Sequence, residues 1–140
     1  MPATSQTKQR RPAPIPEPAQ AGAGLRTFAR IVGLWRLPAS DAMALLGVDS
    51  RSSYYDLLKR AREAREVNGL SRDQLDRLSY LLGIYEAIRT LFPHSEDTRN
   101  GWVARANAAP LFGGRSPVEM MRSSMIGLYR TFAHLTAARG

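Results

Sequence analysis

The chain has 140 residues, no cysteine and a formal net charge of +8, which leaves room for one ordinary domain or two small helical lobes sharing a core. It also removes disulfides, thiol catalysis and cysteine-ligated metals from consideration. No run of about eighteen apolar residues could cross a bilayer, and no apolar segment of signal-peptide type opens the chain, so a reducing cytoplasm is the expected compartment. The positive excess is spread along the chain and reads equally as attraction to phosphate or as plain solubility.

Residues 1–24 hold five of the nine prolines among alanine, glycine and small polar residues. Such a segment buries too little apolar area to offset its ordering entropy, so a disordered Pro/Ala-rich tail is expected there. Its Lys8-Gln-Arg10-Arg11 cluster reads as a solvated run, with a contact to DNA or a partner as the alternative. The other four prolines, Pro38, Pro93, Pro110 and Pro117, fall where helix boundaries are expected, and this agreement points to an all-α chain.

From Leu25 to Arg36, the residues Leu25, Phe28, Ile31, Val32 and Trp35 lie along one helical stripe, with Trp35 as core. Ser40 or Asp41 is placed to cap a short second helix that Gly47 ends in a left-handed turn. Val48 follows to pin the turn, and a polar-fronted third helix begins, which is the layout of a helix-turn-helix. Its leading end carries Ser50, Arg51, Ser52, Ser53 and Tyr54, the part that meets base edges and phosphates in helix-turn-helix docking. Lys59, Arg60 and Arg62 suit backbone contacts a turn or two later. The same spacing also occurs in helical proteins that touch no DNA, and this surface has one arginine among hydroxyls.

Asn68-Gly69 marks a turn, and Ser71-Arg-Asp-Gln74 reads as a capping box. The helix it opens is expected to run to about Leu91, with an apolar face broad enough to be central to a core or a dimer interface. Gly83 in its middle points to close helix packing. Another start at Pro93-His94-Ser95-Glu96-Asp97 leads into a helix expected to reach about Ala108. The run Asn107-Ala-Ala-Pro110-Leu-Phe-Gly113-Gly114-Arg-Ser116-Pro117 stops that helix, reverses at the glycines and restarts with a capping box from Ser116 to Glu119. Met121, Met125, Leu128, Phe132 and Leu135 then continue one apolar stripe to the chain end.

That stretch carries a resemblance. Trp102, Asn107, the Leu111-Phe112-Gly113-Gly114 turn, Ser116-Pro117, Gly127-Leu128-Tyr129 and Leu135-Thr-Ala-Ala-Arg139-Gly140 resemble the toxin-binding domain of the Xre/MbcA/ParS antitoxins, which partner RES-domain toxins. The resemblance implies an all-α fold with an Xre-like helix-turn-helix domain over 25–92. A long central helix would join this lobe to a C-terminal two-helix toxin-binding module over 93–140. It further implies an antitoxin that covers the pocket of a NAD-degrading toxin and represses its own operon, as a homodimer within a hetero-oligomeric complex. Carried onto this chain, the toxin contacts are Phe112, Arg115, Arg122, Tyr129, His134 and Arg139, while Trp102 and Asn107 are structural. Arg139 is either a cation for a phosphate-binding pocket or a frayed terminus. The alternative is a stand-alone helix-turn-helix regulator.

No catalytic, metal or cofactor site is expected. His94 and His134 lie forty residues apart without ligand spacing. Gly113-Gly114 lacks the following lysine and preceding strand of a phosphate-binding loop.

Overall fold

The computed structural model describes residues 18–140, and the expectation for residues 1–17 lies outside them. Seven helices account for the regular structure of the described residues. The first, α1 (Pro18–Leu34), already includes residues 18–24, so that part of the expected tail is helix instead. The reason is packing: its small residues let α1 approach its neighbours. A Cβ on Gly22 would come within 2.5 Å of the Arg65 carbonyl, and one on Gly24 within 3.2 Å of the Leu78 side chain. Leu25, Phe28, Ile31 and Trp35 are buried as the stripe requires. The helix closes by hydrogen bonds from Arg36 N to Gly33 O and Leu37 N to Val32 O. Arg36 sits there at φ +56°, in the left-handed region that glycine usually fills.

Helix α2 (Ala39–Leu46) takes Pro38 as its N-cap; Ser40 and Asp41 lie inside it and cap nothing. Gly47 ends it at φ +76°, and Val48, whose N–H bonds to Met43 O, is buried below the turn. Helix α3 (Arg51–Glu63) starts at Ser50, whose hydroxyl accepts from Ser53 N at 3.1 Å. Helix α4 (Arg72–Leu91) opens with the expected capping box, both Ser71–Gln74 bonds measuring 3.0 Å.

Leu78, Leu81, Ile84, Ala87 and Ile88 bury one side of α4. It lies against α1 and, along its length, against the last helix, α7 (Met125–Arg139). The lobes expected at 25–92 and 93–140 thus share one apolar core. Close packing at Gly83 is present: a Cβ there would stand 2.6 Å from the Phe132 ring. Several arginines close helix ends. Arg26 donates to Ala61 O and Ala64 O, Arg77 to Ala44 O, and Arg99 to Phe92 O and Pro93 O, each a cation on the negative end of a helix.

The C-terminal segment departs from expectation in three places. Helix α5 (Glu96–Gly101) stops at Gly101 rather than near Ala108. Ser116 precedes α6 (Pro117–Ser123) without a side-chain cap, because the first-turn amides are already satisfied. Val118 N bonds to Val103 O and Glu119 N to the Ser116 carbonyl. The stripe from Met121 to Leu135 is not one helix either. Ser124, at φ −171° and ψ 163°, ends α6 and caps α7, its hydroxyl accepting from Gly127 N at 3.0 Å.

Gly127 makes this break possible, since a Cβ there would run into the Met120 carbonyl. Gly127→Ala is therefore expected to lower stability by about 1–3 kcal/mol. Gly33→Ala, a helical site with nothing within 4 Å of the added carbon, is expected to raise it by about 0.5–1 kcal/mol. Urea unfolding of both variants checks the pair.

Candidate functional site

Two surfaces carry the site residues expected from the sequence. The first is built on the loop between α5 and α6 together with α7. Asn107 clamps the loop: its N–H bonds to Arg115 O, its carbonyl accepts from Gly114 N, and its side chain accepts from Ala109 N at 2.9 Å. Its role is thus to staple the loop across its neck, not to cap a helix. Gly113 and Gly114, at φ +60° and +89°, make the reversal, since two successive left-handed residues suit glycine.

Phe112 points inward from this turn. It is buried, edge-on to Trp102 at 5.8 Å and to His134 at 5.4 Å. The row of three rings bolts the loop to α7, with the structural role expected of Trp102. Phe112 therefore presents no side chain to a partner, because burying the ring is what orders the loop. His134 is half-buried against it.

Arg115, at the loop's outer edge, is exposed, as are Tyr129 and Arg139. Arg122 is partly committed, donating to Asp41 Oδ1 at 2.6 Å across 81 residues of sequence. That hydrogen bond and the carboxylate's charge raise its pKa further, so it is charged at any physiological pH. Sequence reasoning missed Ile126, which at 63% exposure is more open to solvent than Tyr129 at 41%. Three residues apart on α7, the two share a face. The available signal was that Ile126 falls off the Met121–Leu135 stripe. Tyr129 is braced edge-on by Tyr80 at 5.9 Å, so this apolar face is held in place by α4.

The second surface is the leading half of α3. Ser50, Arg51, Ser52, Ser53 and Lys59 are exposed, with the Ser50 hydroxyl engaged as the N-cap. Tyr54 does not belong with them. Tyr54, Leu57 and Ala61 form the buried side of α3, and burial pushes the Tyr54 phenol above its ordinary pKa, with the neighbouring Tyr55 adding to it. The exposed ring is Tyr55. Of the later cations, Arg60 donates to Asn68 O, whereas Lys59 and Arg62 stay on the outer face. Among the described residues, no group of three or more His, Asp or Glu side chains is placed to hold a metal.

Residues 14–83 match the antitoxin Xre-like helix-turn-helix domain, and residues 87–140 match the antitoxin Xre/MbcA/ParS C-terminal toxin-binding domain. The chain is 34% identical over 128 residues to the uncharacterized protein y4oB of Sinorhizobium fredii (strain NBRC 101917 / NGR234), covering 91% of this chain and 92% of that protein. No solved structure matches it.

Removing the loop clamp has a local consequence. Asn107→Ala leaves the Ala109 amide without its acceptor and is expected to cost about 1 kcal/mol. Faster hydrogen exchange at Ala109, Gly114 and Arg115, with α4 amides unchanged, is the check.

Proposed function

The chain belongs to the Xre/MbcA/ParS antitoxin family, and from that premise we propose that it neutralises a RES-type, NAD-degrading toxin by lying over the entrance to the toxin's pocket. It is the antitoxin of a toxin–antitoxin pair, with a helix-turn-helix domain followed by a toxin-binding domain. We read it as a binding protein and assign it no catalysis.

One observation carries the proposed docking surface: Ile126 and Tyr129 leave two large apolar side chains in solvent on α7, the helix that also anchors a loop fixed by Asn107 and the Trp102–Phe112–His134 rings. Exposed aliphatic and aromatic groups on a rigid scaffold are what a protein interface uses as anchors, and a preformed loop loses little entropy on docking. Arg130, four residues after Ile126, adds positive charge to this face, and Arg115 is exposed on the loop. Arg139, exposed near the chain end, is the cation suited to a pocket that binds a phosphate-bearing cofactor. In this reading Phe112 and His134 support the surface from behind, and Arg122 contributes through its outer half.

The second activity is repression of the antitoxin's own operon. The exposed Arg51, Ser52, Ser53 and Lys59 on α3 favour it. A homodimer within the hetero-oligomeric complex would present two such helices to two half-sites. The setting is the cytoplasm; no helix among the described residues is long and apolar enough to cross a membrane. The same α3 residues support a stand-alone regulator as the second reading.

Co-expression with the product of the neighbouring reading frame separates the two. Cells carrying both proteins should grow with normal NAD levels, and the neighbour alone should deplete NAD. Ile126→Asp combined with Arg115→Ala should abolish protection while leaving stability within about 0.5 kcal/mol, since both sites are exposed. A neighbour that leaves NAD intact would remove the RES assignment, and full protection by the double variant would remove the surface. For the DNA role, Arg51→Ala is expected to cost about 1–3 kcal/mol of operator binding, measured by titration at fixed salt; unchanged affinity refutes the reading-helix assignment.

A further inference from the structure

We propose that Tyr55 is the residue that sets sequence specificity on α3, its ring lying against the 5-methyl group of a thymine in the major groove of duplex DNA. The inference rests on the DNA-reading role proposed for α3 and names the base chemistry which that role reads.

The fold has no use for this ring. Tyr54, Leu57 and Ala61 supply the side of α3 that meets the core, whereas Tyr55 leaves 52% of its surface in solvent. It does not swing freely, because it leans edge-on against buried Tyr54, with centroids 5.1 Å apart and planes at 70°. A large aromatic group is thus held upright, outside the core, by a side chain that is itself fixed.

Its neighbours fit a nucleic-acid surface. Arg51 lies one turn before it and Lys59 one turn after it, both exposed and at the four-residue spacing that shares a helix face. Neither makes a hydrogen bond or ion pair among the described residues, so both cations are available to phosphates. Asp56, the anion beside the ring, stands 3.8 Å from Arg60. Contacts from such cations to phosphate position a protein on the backbone and carry no sequence information. The ring between them is the apolar element. In the major groove, thymine alone of the four bases presents a methyl group, and apolar side chains read it by contact.

The test uses the full-length chain and duplexes it enriches from a randomised library. In the best duplex, each thymine is replaced in turn by deoxyuridine, which deletes only the methyl. We expect one position in each half-site at which wild-type affinity falls about three- to fivefold, the worth of one buried methyl. Tyr55→Ala should bind more weakly and be insensitive to that replacement, while Tyr55→Phe should keep the sensitivity. Lys59→Ala should keep it too and reduce the salt slope by about one. Methyl sensitivity that persists in Tyr55→Ala, or is missing from the wild type, overturns the proposal while leaving DNA binding in place. Failure to enrich any duplex overturns the reading of α3 and this inference with it. Unaltered duplex selectivity in Tyr55→Ala together with lost protection against the toxin overturns it in favour of a protein contact.

Discussion

The structure depends on the burial of α4 from two sides. α1 closes over one side and α7 over the other, and at Gly83 the absence of a side chain lets the Phe132 ring come against the backbone. A long helix with a broad apolar face is unstable alone in water and must find such cover. The consequence is functional as well as energetic. The two surfaces that carry the site residues, α3 and the loop–α7 face, are hung on one core rather than on two lobes joined by a linker. The Asp41–Arg122 pair ties them a second time, joining the first helix of the helix-turn-helix to α6 at 2.6 Å. Asp41 is largely buried while Arg122 is about half exposed, so the pair is one of position more than of strength.

The charge of the chain looks different once the fold is known. Arg26, Arg77 and Arg99 satisfy carbonyls at helix ends, and Arg60 holds the turn before α4 through Asn68 O. Arg105 is paired with Asp97, and Arg122 with Asp41. A net charge of +8 therefore overstates what is offered to phosphate. Arg30, Arg36 and Arg65 also stay exposed, and two further groups of outward cations fall on α3, as Arg51, Lys59 and Arg62, and around the loop and α7, as Arg115, Arg130 and Arg139. These are the two places where the fold also leaves tyrosines uncovered.

Features with a local cause were legible in the sequence. Gly83, a glycine inside a helix, signals a close approach without naming its partner, Phe132, whereas Gly47, the Ser71–Gln74 capping box and the apolar stripe of α1 each follow from a few adjacent residues. So does the family resemblance, which rests on the loop glycines and their flanks. Features set by tertiary contacts were not. The small residues of 18–24 resemble a flexible tail until Arg65 and Leu78 are seen packed against them. The Ser116 capping box has the right letters but loses its amides to Val103 O and to its own carbonyl. One stripe from Met121 to Leu135 conceals the break at Ser124, since the apolar period survives the interruption. Adjacent tyrosines could not be told apart without the register of α3, which places Tyr54 inside and Tyr55 outside. Phe112 looked like a tip and is an anchor.

The central claim is that the loop–α7 face is the docking surface for an outside protein while α3 stays clear of it. Amide hydrogen exchange of the chain, free and in complex with its toxin partner, tests this most directly. The account predicts slowed exchange over 112–116 and along the leading half of α7 around Ile126–Arg130, with α3 unaltered. Protection concentrated on α3, or none on α7 in a formed complex, would contradict it.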